Sequence, residues 1–332
     1  MPIELTELTP GFAARVSGID LRNPISAADS AAVRDAIDRY GLLVFHRQSI
    51  TDDQQMAFTQ SFGDLEGARG GSIRKASEYR LAPAMVDVSN LDKDNKVLAR
   101  DDRRRLFNLG NQLWHSDGSF RAVPPTYSIL SGRVVAAKGG NTEFANMCAA
   151  YDDLDADTKA EIEPLVCEHS QLHSRGALGF TEFSDEELRS FRPVRQRLVR
   201  VHPATGRKSL YLSSHIGSIV GWPVPEGRAF IRDLTEHAVQ PKYVYAHKWQ
   251  PGDLVMWDNR QTMHRVRRFD ETQPRDMRRT TVAGTAMTVE QRWRESHRVH
   301  AVDPRTRRKC GSLCPTASAF SEAARRAEGT QA

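Results

Sequence analysis

Short segments with the character of β-strands follow one another along most of the chain, and this succession constrains the fold more than any other feature. The candidate strands are residues 42–45, 127–135, 142–144, 198–202, 209–213, 243–249, 254–257 and 279–283. Helical patterns are inserted between these segments without forming regular βαβ units, and no glycine-rich phosphate loop follows a strand. The pattern therefore predicts a mainly β protein with helical insertions, a β-sandwich or jelly roll, and argues against a Rossmann fold.

Turn and cap signals indicate where several helices begin and end. In residues 29–40, Val33, Ile37 and Tyr40 recur at helical spacing, and Gly41 predicts the end of that helix. Further helices are predicted over residues 51–62, with the N-cap at position 51, and over residues 149–165 and 226–239. Residues 64–110 carry glycine and charge with little periodicity, so we expect them to be mostly loop.

The chain carries a formal net charge of +5, and the position of that charge decides its interpretation. Residues 285–332 contribute +4 of it, so the rest of the chain is nearly neutral. A nucleic-acid partner would need a basic stripe or a recognition helix on the body, and the sequence offers neither. We therefore expect no nucleic-acid binding, a folded domain over residues 1–286, and a basic, poorly ordered tail over residues 287–332.

Signals for export, membrane insertion and disulfide bonding are weak throughout. No apolar run approaches the roughly 20 residues of a membrane-spanning helix, and the first residues lack the features of a secretory signal. Cys148, Cys167, Cys310 and Cys314 do not form a disulfide framework in a chain of 332 residues. The last two have no second half of a zinc motif. We expect a cytoplasmic protein with no membrane partner.

A His-x-Asp motif is the strongest chemical signal. In an extended segment, residues two apart point to the same side, so His115 and Asp117 can present a nitrogen and an oxygen to one point. His264 follows the candidate strand 254–257 and supplies a second histidine. Two histidines and one carboxylate leave three positions of a metal open, as in non-haem Fe(II) oxygenases. An isolated motif of this kind is also compatible with an exposed polar pair.

A possible clamp for a carboxylate lies further along the chain. Arg275 follows His264 by eleven positions, and its planar guanidinium can bind a carboxylate through two parallel hydrogen bonds. The hydroxyl of Thr142 could add a third bond to the same carboxylate. This combination favours a metal enzyme that also binds a molecule with a carboxylate.

Six stretches in colinear order resemble the taurine/2,4-dichlorophenoxyacetate dioxygenase (TauD/TfdA) family of Fe(II)/2-oxoglutarate enzymes. They are LLVFHRQSITDDQQMAFTQSFGDLEG, NQLWHSDGSF, GGNTEF, AAYDDL, VHPATGRKSLY and GDLVMWDNRQTMHR. The resemblance covers roughly residues 5–284 and leaves the C-terminal tail outside it. It implies that the fold is a double-stranded β-helix, a jelly roll with helical insertions.

The resemblance also implies cofactors and the residues that bind them. Its iron ligands would be His115, Asp117 and His264. The co-substrates would be 2-oxoglutarate and O₂, and the distal carboxylate of 2-oxoglutarate would be held by Arg275 and Thr142. In this family the co-substrate is converted to succinate and CO₂ while the substrate is hydroxylated.

The substrate implied by the resemblance is a phenoxyacetate such as 2,4-dichlorophenoxyacetate, which hydroxylation would convert to a phenol and glyoxylate. The taurine branch generally has a histidine in the loop before the iron motif, whereas residues 70–75 carry cations and no histidine. The implied substrate-binding residues are Arg74, Lys96, Ser119, His202, His215 and Arg279, of which the last would also lie near 2-oxoglutarate. Residues 67–71 look like a short insertion, and Gly118 replaces an expected serine, so the sequence departs from its relatives beside this loop.

Two alternatives stay open at this stage. The same chemistry could act on another small anion, such as a sulfonate, a sulfate ester or a natural aryl acid. A protein of another class, a non-catalytic metal-binding sensor on a jelly roll, would also use the three metal ligands, although it has no need for the clamp at Arg275. The sequence leaves a homo-oligomer open.

Overall fold

The computed structural model describes residues 3–68 and 71–291, and the compact unit that contains them ends at Gln291. The strands in this part of the chain are β1 Glu4–Thr9, β2 Ala13–Ser17, β3 Leu42–Phe45, β4 Val86–Asp87, β5 Tyr127–Val134, β6 Thr142–Asn146, β7 Val166–His169, β8 Val194–Arg197, β9 Val199–Val201, β10 Lys208–Leu210, β11 Ile216–Ile219, β12 Val244–His247, β13 Leu254–Asp258, β14 Thr262–Val266 and β15 Asp276–Thr281. The helices are α1 Ala27–Tyr40, α2 Asp52–Gln60, α3 Arg103–Asn108, α4 Met147–Asp152, α5 Ala156–Ile162, α6 Gln171–Gly176, α7 Asp185–Ser190 and α8 Val224–Ala238. The helices are thus inserted between strands along the whole described chain.

Two sheets form the body of the fold. The larger has seven strands in the order β1-β2-β3-β13-β5-β15-β4, and all its pairs are antiparallel except β2 with β3. The smaller main sheet has the order β12-β6-β14 and is antiparallel throughout. Many neighbouring strands in both sheets are distant in sequence, which is the mark of a jelly roll rather than of a meander. The predicted mainly β fold with helical insertions is confirmed.

Alternation along the strands builds separate cores on the two faces of the large sheet. On β3, Leu42 and Val44 pack with Phe144 of β6 in the core between the sheets. The intervening residues Leu43 and Phe45 face the other way, in the core that includes α1 and α2. Every one of these five side chains is fully buried. Burial of each such side chain contributes about 1.5–3 kcal/mol, so the register of β3 is strongly specified.

The predicted end of the first helix and the predicted start of the second agree with the structure. Helix α1 begins after Ser26, whose side chain accepts a hydrogen bond from the backbone of Asp29, and it ends at Gly41 in the left-handed conformation with φ of 74°. Helix α2 begins after Thr51, which forms a reciprocal capping box with Gln54. Gly41 and Thr51 act through local hydrogen bonds, which explains why the sequence located them. The cap at Ser26, three residues before the predicted start of the first helix, was not predicted.

Several elements were not predicted. Strands β1 and β2 lie before the first predicted helix, β14 carries His264, and α3 lies within the segment expected to be loop. Strand β15 begins at Asp276, three residues before the predicted strand over residues 279–283. In the described part of the chain, no helix is long and apolar enough to cross a membrane.

The C-terminal end of the described chain reaches beyond the expected domain boundary at residue 286. The hydroxyl of Thr288 donates to Gln196, and Gln291 exchanges hydrogen bonds of 2.8 and 2.9 Å with the backbone of Arg195. Residues 288–291 therefore pair with β8 through side chains. The predicted tail beyond them, residues 292–332, lies outside the described residues.

This arrangement predicts different outcomes for two C-terminal truncations. Because residues 292–332 are polar and basic and lie outside the family resemblance, their removal is expected to leave folding and turnover unchanged. Removal of residues 288–291 as well deletes hydrogen bonds worth about 1 kcal/mol each and is expected to lower the melting temperature by a few degrees. Circular dichroism melting of the two truncated proteins measures this difference. Aggregation or inactivity of the protein that lacks only residues 292–332 would contradict this prediction.

Candidate metal centre

Backbone pairing brings two distant histidines together. The segment that contains His115 forms an isolated bridge with β14, in which each of His115 and His264 donates its backbone N–H to the carbonyl of the other at 2.9 and 2.8 Å. Their imidazole rings lie on the same side of this bridge, with centroids 4.2 Å apart. Residues that are far apart in sequence thus occupy neighbouring positions, and the sheet fixes their separation.

Asp117 is held from the large sheet. Its Oδ2 accepts a hydrogen bond of 2.8 Å from the hydroxyl of Ser128 on β5, and that hydroxyl accepts one from Asn259. The next residue, Gly118, has a φ of +60°, and a Cβ there would lie 2.4 Å from Cδ of Pro125. A serine at this position would therefore be strained, which gives a physical reason for the glycine.

The three side chains converge on one point. Nε2 of His115 and Nε2 of His264 lie 3.8 and 3.9 Å from Oδ1 of Asp117. These separations are too long for hydrogen bonds, but ligand atoms bound to one ion at about 2.1 Å lie roughly 3 Å or more apart. All three residues are buried. The group meets the geometric requirement for a shared metal ion.

The hydrogen bonds and pKa values of these residues also fit a metal. Nδ1 of His115 lies 2.8 Å from the carbonyl of Leu113, which keeps the proton on that nitrogen and leaves Nε2 free to bind an ion. Burial lowers the pKa of both histidines, so both are neutral at neutral pH. Burial by itself would raise the pKa of Asp117, but the opposing effects, of which the positive charge of Arg279 is the largest and the hydrogen bond from Ser128 is another, outweigh it and lower the pKa to about 2. Two neutral imidazoles and one carboxylate form the donor set that non-haem Fe(II) sites use.

Arg279 on β15 faces this centre. Its Nη1 donates to Oδ1 of Asp117, and its Nε is buried without a hydrogen-bond partner among the described residues. An aspartate oxygen has a second lone pair, so this bond leaves Asp117 able to bind a metal as well. The structure therefore brings Arg279 to the same centre, as the resemblance implied, and leaves one of its donors for a ligand.

Arg275 occupies a second cavity that shares Val88, Asn108 and Asn111 with the cavity at the metal centre. Its guanidinium is buried, stacks on the ring of Phe269 at 5.1 Å, and has no carboxylate partner among the described residues. Burial lowers its pKa to about 10, so it stays charged at neutral pH. A buried cation without an anion is costly, and such a residue is suited to bind one from solution.

Thr142, the second predicted residue of the clamp, is buried on β6. Its hydroxyl oxygen accepts a hydrogen bond of 2.9 Å from the indole of Trp249. The hydroxyl hydrogen is therefore available to another acceptor. Its role with 2-oxoglutarate stays a prediction.

Besides Arg279, two more of the predicted substrate residues line the cavity at the metal centre. Arg74 lines it with Nη1 bonded to Asp87 at 2.8 Å, while its Nη2 is buried and has no partner among the described residues. His215 lines it with its ring 6.1 Å from that of His115 and 5.0 Å from that of Phe120. Both are in a position to contact a substrate.

Three others are not brought to this cavity. Lys96 does not line it, and its backbone N–H bonds to Asp92 in an exposed turn. Ser119 is fully buried and does not line the cavity, although its neighbours on both sides do. His202 bonds to Asp258 at 2.9 Å within a buried charge network elsewhere in the fold. The structure gives no support for substrate contacts by these three residues.

Sequence reasoning missed Arg175, which lines the cavity from α6. Its guanidinium is buried with no carboxylate partner in the described part of the chain, and burial lowers its pKa to about 10. Helix α6 has only six residues and lies in none of the stretches that carry the resemblance. Nothing in the local sequence distinguishes this arginine from a solvated one.

A jelly roll that brings two buried histidines and a buried carboxylate to one point, with arginines that lack a carboxylate partner in the described chain at the cavities beside them, defines a non-haem oxygenase of the 2-oxoglutarate-dependent class. Comparison with known families agrees, since residues 4–281 match the model of the taurine catabolism dioxygenase TauD, TfdA family. The chain belongs to this family. The predictions of family, fold and enzyme class are confirmed.

Individual relatives are similar over nearly their whole length. The alpha-ketoglutarate-dependent 2,4-dichlorophenoxyacetate dioxygenase of Burkholderia sp. (strain RASC) is 44% identical, over 86% of this chain and 95% of the relative. The (S)-phenoxypropionate/alpha-ketoglutarate-dioxygenase of Sphingobium herbicidovorans is 35% identical, over 85% and 95%. The crystal structure of AAD-2 in complex with Mn(II) and N-oxalylglycine is 62% identical with a TM-score of 0.86, over 87% of this chain and all of that one.

Proposed function

We propose that this enzyme uses Fe(II), 2-oxoglutarate and O₂ to hydroxylate a phenoxyacetate of the 2,4-dichlorophenoxyacetate type, and that the products are a phenol, glyoxylate, succinate and CO₂. The observation that carries the proposal is the composition of the cavity beside His115, Asp117 and His264. Aromatic side chains and arginines line it together, as a substrate with an aromatic ring and a carboxylate requires. The similarity to enzymes named for phenoxyacetate and phenoxypropionate supports the same substrate class.

The assignment of roles follows from the contacts of the described residues. His115, Asp117 and His264 would hold Fe(II), and Arg275 would bind the distal carboxylate of 2-oxoglutarate. The N-oxalylglycine bound to AAD-2 is likewise a small molecule with two carboxylates, which supports a dicarboxylate co-substrate here. Arg279, between Asp117 and the cavity, would meet the anionic groups beside the metal.

When bound, the metal and 2-oxoglutarate supply the oxidising chemistry, in which O₂ gives one oxygen atom to succinate and one to the substrate. The residues of the chain orient the reactants and exclude water. The cavity walls Tyr79, Phe107 and Phe120 provide the apolar surface for an aromatic ring. Hydroxylation of the carbon between the ether oxygen and the carboxylate yields a hemiacetal, which loses the phenol and leaves glyoxylate.

Substrate assays test this proposal directly. With Fe(II) and 2-oxoglutarate, 2,4-dichlorophenoxyacetate is expected to give phenol and succinate in equal amounts, whereas taurine and an alkyl sulfate give little succinate above the background. Among the described residues, arginines and no lysine line the cavity. The arginines therefore provide its permanent positive charge. Efficient turnover of taurine, with no phenol released from any phenoxyacetate, would refute the substrate assignment and leave the metal site untouched.

We further propose that the enzyme works in the cytoplasm. Cys148 and Cys167 are free, buried thiols, and burial raises the pKa of each to about 12. Such thiols are unreactive and are compatible with a reducing compartment. Cys310 and Cys314 lie outside the described residues.

A further inference from the structure

Four arginines line the cavity at the metal centre among the described residues, and three of them already face a carboxylate. Arg74 pairs with Asp87 at 2.8 Å, Arg121 with Glu66 at 3.4 Å, and Arg279 with Asp117. The fourth, Arg175, has no carboxylate partner in the described part of the chain, although it is among the most buried arginines of the fold. The cavity therefore contains one uncompensated positive charge besides its paired ones.

The surroundings of Arg175 hold its guanidinium in place without neutralising it. Its Nε donates to the carbonyl of Phe107 at 3.1 Å, and its Nη1 donates to the hydroxyl of Ser174 at 3.1 Å. The guanidinium stacks on the ring of Phe107, with Cζ 4.5 Å from the centroid. Gly110 lies close by, where a Cβ would be 2.4 Å from Cζ, so only glycine permits this approach. Neutral acceptors and a ring fix the position of the group and leave its charge free for a ligand.

Arg175 also lies at the metal end of the cavity. Ser174, which accepts its hydrogen bond, is itself 2.9 Å from Nδ1 of His215. The ring of His215 lies 6.1 Å from that of His115. A chain of contacts therefore links Arg175 to a metal-site histidine through two residues. In an aryloxyacetate the reacting carbon is bonded to the carboxylate carbon, so an anchor for that carboxylate has to lie at this end.

The reaction brings two anions into the protein. In the described part of the chain, two buried guanidinium groups without a carboxylate partner lie at two adjacent cavities, one at each. Arg275 lies in the second cavity, where 2-oxoglutarate would place its distal carboxylate. Arg175 lies in the first, beside the aromatic walls. An isolated buried charge is costly, and an entering carboxylate offsets that cost at each position.

We infer that Arg175 binds the carboxylate of the substrate and makes the enzyme select anionic over neutral aryloxy compounds. This inference rests on the proposed function. Arg175 does not touch the reacting carbon, so it acts as a residue of substrate binding and specificity. Removal of one partner of a buried charged pair typically costs enough to weaken binding about 30-fold or more.

The test compares 2,4-dichlorophenoxyacetate with its neutral amide in the wild type and in Arg175→Met. We expect the KM for the acid to rise about 30-fold or more, the preference for acid over amide to fall by a similar factor, and the KM for the co-substrate to change less than about 3-fold. Arg103→Met is the matched control, because Arg103 also stacks on an aromatic ring, Phe180, but pairs with Glu187 and does not line the cavity. This control is expected to keep the wild-type preference.

Arg175→Lys provides a second variant if the methionine variant folds poorly. It retains the positive charge without the planar fork, so its preference for the acid should lie between those of the wild type and Arg175→Met. A purely structural role of Arg175 would lower the rates with acid and amide equally. An unchanged preference for the acid in either folded variant would overturn the inference.

Assays of the wild type alone test the proposed function. A failure of the proposed function can therefore be distinguished from a failure of the inference about Arg175. If the wild type releases phenol and the variants keep its preference, the inference fails and the proposed function stands. If the wild type releases no phenol, the proposed function fails. The variants are then assayed with whichever anion, taurine or an alkyl sulfate, stimulates succinate formation most, and an unchanged KM for that anion rejects Arg175 as an anion anchor.

Discussion

Replacement of Asp117 by alanine is expected to lower substrate-dependent formation of succinate more than about 100-fold, because it removes one of the three converging ligands. Loss of a group that merely orients a metal ligand already costs roughly 10- to 100-fold. His264→Ala is expected to have an effect of the same size, since both residues lie within the same group of ligand atoms. Metal content after anaerobic dialysis against Fe(II) measures the loss independently of activity.

Ser128→Ala gives a graded control for this prediction. The hydroxyl of Ser128 orients Asp117 through Oδ2, whereas Oδ1 is the oxygen that faces the histidines. Its removal should weaken metal binding by about 10- to 100-fold and leave the three ligands in place. If Asp117→Ala kept the metal content and turnover of the wild type, Asp117 would not be a metal ligand.

Replacement of Arg275 by alanine is expected to raise the KM for the co-substrate, 2-oxoglutarate, about 30-fold or more and to change the KM for the substrate little. The buried guanidinium has no carboxylate among the described residues, so its charge is available to the co-substrate. Addition of 2-oxoglutarate should also raise the melting temperature of the wild type and not that of the variant, since a ligand that binds only the folded state stabilises it.

Arg267→Ala is the matched control for Arg275→Ala. Arg267 precedes Arg275 on the same connection between β14 and β15. Its side chain is about half exposed and pairs with Glu143 at 3.5 Å. Its replacement should leave both KM values near those of the wild type. If Arg275→Ala bound 2-oxoglutarate with unchanged affinity, another cation would have to hold the distal carboxylate.

The order of strand segments and the chemical motifs were readable from the sequence, because each depends on neighbours along the chain. Gly41 and Thr51 end and begin helices through local hydrogen bonds, so their roles could be recognised directly. The His-x-Asp spacing of His115 and Asp117 predicted that both side chains point to one side. His264 and Arg275 were singled out by residue type, and the resemblance gave them roles; the fold brings His264 to the other two ligands and Arg275 to the neighbouring cavity.

Strand β14 was not predicted although it carries His264. Its five residues follow the end of β13 after a short turn, and the alternation of TMHRV is too short to indicate a strand by itself. What makes it a strand is β6, which pairs with every one of its residues across more than a hundred positions of sequence. Pairing of this kind is a property of the assembled sheet, and no local pattern encodes it.

The sequence by itself determined the class of fold, the metal-binding residue types and the family, because hydrophobic periodicity and motif spacing are local quantities. Only the tertiary structure decided which charges remain unpaired. Lys96 and Arg175 are both plain cations in the sequence, yet the first lies in an exposed turn and the fold buries the second against Phe107 without a carboxylate. The electrostatic state of a side chain depends on which distant groups the fold places beside it, and that is settled only when the sheets and their connections pack together.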